Sequence, residues 1–233
     1  MTVEAHRPAR LGVLALPSAG VLYGVGIALR GSPIADARSP GFSAADFAAT
    51  ASTASYQAGW IVLIAGTVLL VFGYLALHRQ LAGDRSALPS MILTVSGITL
   101  SVGVFGVFAF AYPAIADRHA AGGTGTTDLL KAVAGGVLGP YSSVGGLLYL
   151  AGTTWFAVAI WRSGGPYRWA GVLLPVYYLL LLAPVFGLDA ALAYLLEFTG
   201  AGLLATAGVL LAARTPGIGR RADAVGGRSQ SAR

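Results

Sequence analysis

Glu197 is the one charged residue in the stretch 190–213, eight positions after Asp189 and seventeen before Arg214. In a helix rising 1.5 Å per residue, those eight positions put its carboxyl group roughly 12 Å inside the stretch. An ionisable group at such depth in a membrane is costly, and by default it marks a site of function. Neutral, it would donate a hydrogen bond or exchange a proton. Ionised, it needs a cation or an arginine, and no apolar stretch offers a basic side chain at mid-depth. Helical spacing lines up Ala190, Tyr194, Glu197, Ala201, Leu204 and Gly208 on one face, which is expected to turn inward against neighbouring helices. Tyr177 and Tyr178 in the preceding stretch are the expected hydrogen-bond partners, with Pro175 and Pro184 bending that helix. The candidate ligand-binding set is therefore Glu197, Tyr194, Tyr177 and Tyr178. The alternative is a Glu197 that merely locks two helices through one buried bond.

Other chemistry is narrowed by what the chain does not contain. His6, His78 and His119 all lie outside the apolar stretches, which excludes paired haem ligation inside a membrane. The final stretch has no lysine for a retinal Schiff base. No cysteine is present for a disulfide, a thiolate metal site or a thiol nucleophile. The sequence holds no HExxH, GxSxG or Walker pattern. Asp36, Asp46, Asp117 and Asp128 read as water-facing loop acids. No catalytic residue, metal or cofactor is expected, and the balance leans away from an enzyme. Thr94, Ser96, Thr99 and Ser101 are expected to bond their own helix backbone. Gly20 with Gly24, and Gly97 with Ser101, have the spacing of helix-packing pairs.

The elements that must position Glu197 follow from composition. Of 233 residues 56% are hydrophobic and 10% charged, where a soluble domain carries about 25% charged. Apolar stretches run over 11–29, 58–77, 88–112, 141–161, 169–186 and 190–213, each near the ~20 residues that cross a bilayer. Lipid offers no partner to a backbone amide, so these stretches should be helices, and they lack the alternation of outer-membrane strands. The expected fold is all-α: a polytopic transmembrane bundle of six spans over 11–214. It is preceded by a cytoplasmic N-terminus (1–10) and followed by a disordered, basic cytoplasmic tail (215–233).

Lysine and arginine set the direction. With the N-terminus inside, eleven of the fifteen lie on the cytoplasmic side, and only Arg30, Arg38, Arg118 and Lys131 lie outside. The net charge of +6 is thus a matter of orientation, and no nucleic-acid partner is expected. Ala35-Asp36-Ala37 has the form of a signal-peptidase site. The preceding run of about nineteen apolar residues is longer than the usual 7–15, so the first span is expected to stay.

The spans also look repeated. Leu16-Pro17-Ser18 and Leu88-Pro89-Ser90 open two of them, Ile34-Ala35-Asp36 and Ile115-Ala116-Asp117 follow, and Ala65-Gly66-Thr67 and Ala151-Gly152-Thr153 sit in their partners. Leu173-Leu174-Pro175 and Ala213-Arg214 echo the pattern, which predicts three similar helical hairpins. Ser43-Ala44-Ala45-Asp46 has the shape of a capping box, with Phe42 and Phe47 as its staple. A short interfacial helix is predicted there and another near Thr126 and Asp128. Tyr23, Trp60, Tyr112, Trp161, Tyr167 and Trp169 fall near the span ends, where aromatic side chains anchor.

In plan, with Arg-closed hairpins and an Arg-rich tail, the chain resembles small multi-pass bacterial membrane proteins of unknown function. That resemblance implies a layout and no activity. The expected partners are the lipid bilayer, a small-molecule or lipidic ligand near Glu197, and a membrane partner protein or a second copy. Three roles compete in that order: binding or transport, a structural or regulatory subunit, and a lipid-modifying enzyme.

Overall fold

Glycine and alanine recur through the apolar runs, and they let helices approach until backbones nearly touch. The computed structural model describes residues 12–31, 42–81, 83–164, 168–186 and 188–214, and nearly all of these are helical. The helices are α1 (Ala15–Arg30), α2 (Ala44–Ala51), α3 (Ala54–Gln80), α4 (Ala87–Gly106), α5 (Tyr112–Ala120), α6 (Thr126–Val133), α7 (Gly139–Arg162), α8 (Arg168–Leu181) and α9 (Ala190–Arg214). A π-helical stretch, Val107–Ala111, joins α4 to α5, and a kinked stretch, Ala134–Leu138, joins α6 to α7. A short 3₁₀ turn, Ala183–Phe186, follows α8.

Four helices are long and apolar enough to cross a membrane: α3, the continuous run Ala87–Ala120, α7 and α9. The helices α1 and α8 are apolar but shorter, at 16 and 14 residues, or about 24 and 21 Å. All six nevertheless pack side by side. Each touches the next in the order α1, α3, α4, α7, α8, α9, and α9 returns to α1 to close a ring. Neighbours run antiparallel: along α1 from Pro17 to Gly20 to Arg30, the facing positions on α9 run back from Gly208 to Ala205 to Glu197.

The core of the ring holds Leu16, Ile27, Leu70, Tyr74, Phe156, Tyr177 and Leu204, all buried. A smaller apolar cluster at one end ties α2 to α5 and α6 through Phe47, Tyr56, Ile115 and Leu130. The predicted short helices are both present. Ser43 Oγ accepts the Asp46 N–H at 3.2 Å, and the Phe42 and Phe47 rings lie 6.2 Å apart, as the capping box and staple require.

Several sequence expectations shift. The connection holding Asp117 and His119 is helical, because the third apolar run continues through its π-helical stretch to Ala120. The fifth stretch forms a helix only to Leu181, where Pro184 can no longer supply an amide to continue it. Tyr23 is no interfacial anchor: it is buried, and its hydroxyl bonds Thr67 Oγ1 at 2.8 Å. Trp161 and Trp169 are exposed, with the Arg168 guanidinium over the Trp161 ring, as anchors should be. Thr99 and Ser101 bond their own helix at Val95 and Gly97. In the connection from α3 to α4 the Asp84 carboxylate accepts the Ser86 hydroxyl and N–H, and those two bonds hold it below the usual carboxylate range. The N-terminus 1–10, the motif at 35–37, Tyr167 and the tail 215–233 lie outside the described residues.

Candidate functional site

The seam between α1 and α9 is built on glycine. A Cβ at Gly20 would stand 2.5 Å from the Ala205 amide nitrogen, and one at Gly208 would collide with Pro17. Any larger residue would force the helices apart. Gly24, the other half of the expected pair, faces open space, so only Gly20 packs.

Further along the seam, Arg30 Nη2 donates to Glu197 Oε2 at 2.5 Å. The two side chains are 5% and 8% exposed. Arg30 closes the last turn of α1, where a cation also meets the negative end of the helix dipole. Its guanidinium lies 5.0 Å from the centroid of the Trp60 ring. Gly59 makes that contact possible, since a Cβ there would stand 2.5 Å from the Arg30 amide nitrogen. The Glu197 carboxylate is thus committed to a cation, in a clasp tying the first helix of the ring to the last.

The expectation that no basic side chain reaches Glu197 is therefore overturned. Counting charges by segment places Arg30 outside, in the loop. But α1 has only 16 residues, and its end stops short, level with a position seven residues inside α9. The signal that would have found it is the unmet need of Glu197 itself, joined to the one cation that ends an apolar stretch on that side.

The other candidate residues sit elsewhere. Tyr194 is half-buried and packs edge-on against Phe198 of its own helix. Tyr177 and Tyr178 belong to a cluster of hydroxyls at the ring's centre. There Tyr74 and Tyr149 share a hydrogen bond of 3.0 Å, and the Tyr178 ring stands 4.6 Å from that of Tyr149. The buried Tyr177 hydroxyl lies beside that of Tyr74 without a well-formed hydrogen bond. Neither tyrosine hydrogen-bonds to Glu197. At the clasp the buried donor Arg30 Nε has no acceptor, and Trp60 Nε1 lies beside the Tyr56 hydroxyl without a well-formed hydrogen bond.

Among the described residues, Asp46, Asp117, Asp128 and His119 do not converge. His119 Nδ1 pairs with Thr126 Oγ1 at 3.0 Å, and among the described residues no three His, Asp or Glu side chains gather as a metal would require.

Two hollows open on the α4–α7 side of the molecule. One, of about 420 Å³, lies between α4 and the α6–α7 junction, with Gly103, Val107, Ala132, Val133 and Tyr141 on its walls. The other, of about 350 Å³, lies between α5 and α6 beside Arg118, Thr124, Thr126 and Leu129. Against known proteins, the chain matches no protein-family model, no curated protein and no solved structure.

Proposed function

We propose that the chain is a six-span protein of the cytoplasmic membrane, with both ends in the cytoplasm, acting as a non-catalytic structural or regulatory subunit. The observation that carries this is the Arg30–Glu197 clasp, which uses the one deep acid to hold the bundle closed. Six spans are supported by the way α1 and α8 pack antiparallel between longer helices in one ring. The orientation rests on the charge bias alone.

A repeated hairpin is supported by a shared register. Gly66 packs on Tyr23 and Leu22, Gly152 on Thr94, and Gly200 on Tyr177 and Leu180. One contact of each, Leu22, Thr94 or Leu180, falls six residues after the leucine of a Leu-Pro pair: Leu16, Leu88 and Leu174.

The second reading is a site for a small or lipidic molecule at Glu197, with Tyr194 on the same helix and Tyr177 or Tyr178 across. The buried Arg30 Nε, a donor without an acceptor, speaks for it.

Native mass spectrometry of the full chain in lipid nanodiscs, wild type beside Glu197→Gln, separates the two. The subunit reading expects no bound mass that disappears in the variant. A molecule retained by wild type and lost from Glu197→Gln would replace it with the ligand reading. Topology is read separately. Because the chain has no cysteine, single cysteines at Arg85 and Asp128 give clean labels. An impermeant maleimide added to intact cells should reach only Asp128→Cys, and the reverse pattern would invert the orientation.

A further inference from the structure

The run Ala87–Ala120 contains 34 residues and is about 51 Å long, against about 30 Å of hydrocarbon. Its last turns, in α5, must therefore stand at headgroup level or beyond. On this run the apolar hollow is bounded by Gly103 and Val107 and the polar one by Ile115 and Arg118, eight to fifteen residues or about 12 to 22 Å of helix further along. The apolar hollow therefore lies deeper in the bilayer than the hollow at Arg118.

Both hollows border the same helix. Thr126 and Leu129 line the polar one, and Ala132 and Val133 line the apolar one. Those positions are three or four apart, so they form one face of α6. Among the described residues lining the polar hollow, Arg118 is the only charged one. The backbone fixes it there. The Gly123 N–H donates to the Arg118 carbonyl at 2.9 Å, Gly122 turns the chain with φ +83°, and the His119–Thr126 bond returns α6 beside α5. The apolar hollow exists because both helices flanking it lose regular winding. Val107–Ala111 is π-helical, and between Ala134 and Leu138 the chain kinks where Gly136 leaves helical geometry with ψ −128°. Such irregular turns recur at functional sites, and backbone of this kind at membrane depth is kept where it lines a cavity.

We propose that this face of α6 binds a glycerophospholipid, with its phosphate at Arg118 and the Thr124 hydroxyl, and an acyl chain between α4 and α7. The cation fits a phosphate, and the deeper apolar continuation fits a lipid over a free anion. The inference rests on the membrane-spanning reading above, which the cysteine labelling tests independently.

The test is native mass spectrometry of the full chain in detergent, titrated with dioleoylphosphatidylglycerol, with dioleoylglycerol and with inorganic phosphate. Wild type should bind the phospholipid. Arg118→Ala removes an exposed side chain and a charge-assisted contact, and should weaken phospholipid binding about tenfold to a hundredfold while leaving dioleoylglycerol unchanged. Ala132→Phe, also at an exposed position, should weaken both lipids by filling the groove. An unchanged phospholipid affinity in Arg118→Ala overturns the proposal. So does phosphate binding as tightly as phospholipid, or a second copy of the chain occupying the groove in place of lipid.

Discussion

The ring has two contrasting seams. Between α1 and α9 the helices touch along their shared length, glycine against backbone, and a buried ion pair fastens them where α1 ends. Between α4 and α7 the half nearer Ala87 is equally tight, with Gly97 against Tyr149 and Gly152 against Thr94. Beyond Gly103 that seam opens, as α4 passes into a π-helical stretch, the chain entering α7 kinks at Gly136, and the two part around an apolar hollow. Close glycine packing is thus common to both. What differs is whether the chain stops, as α1 does at Arg30, or runs on with altered winding, as α4 does through Val107–Ala111. A helix that stops brings a charged end into the bundle, where it must be paired. A helix that runs on must bend away, and the bend leaves space.

The contrast can be broken most forcefully at the clasp. Glu197→Leu leaves Arg30 buried without its counter-charge and should cost about 3–5 kcal/mol in a detergent unfolding experiment. Arg30→Met combined with Glu197→Leu should recover most of that loss, since an apolar pair needs no partner. A double variant as weak as the single one would mean that the packing around the pair, and not the pair itself, closes the ring. Glu197→Gln should fold, because the amide keeps the size and can still accept a hydrogen bond from Arg30.

A smaller loss is expected from the tight half of the second seam. Gly152→Ala sets a methyl group 2.5 Å from the Thr94 backbone nitrogen, and overpacking of this kind costs about 1–3 kcal/mol. Gly24→Ala meets nothing within 4 Å and should change stability by less than about 0.5 kcal/mol. Equal effects at the two glycines would show that the α4–α7 contact is looser than its geometry implies. An effect between those two falls at the ring's centre. Tyr74→Phe removes the Tyr74–Tyr149 hydrogen bond and should lower stability by about 0.6 kcal/mol, the scale of such bonds inside membrane proteins.

Much of this was legible in the residues. The apolar runs announced helices because a bilayer leaves the backbone no other partner. Ser43 and Phe42 announced α2, because caps and staples act within one turn of chain. The depth of Glu197 announced a buried acid in need of a partner. The choice of partner was not legible. Tyr177 and Tyr178 are near Glu197 in sequence, yet their side chains serve the hydroxyl cluster around Tyr74 and Tyr149. Arg30 is 167 positions away and supplies the charge.

By itself, then, the sequence determined the helices, the glycine-rich faces and the presence of one costly carboxyl group, all of them consequences of local periodicity and of the cost of exposing polar groups to lipid. Tertiary structure alone decided that α1 ends deep enough to bring Arg30 to Glu197, that Trp60 covers the pair, and that the α4–α7 seam opens beyond Gly103. Those outcomes depend on which helices become neighbours and at what relative depth, and ring closure between the first and last helices fixes both only once the whole chain has packed.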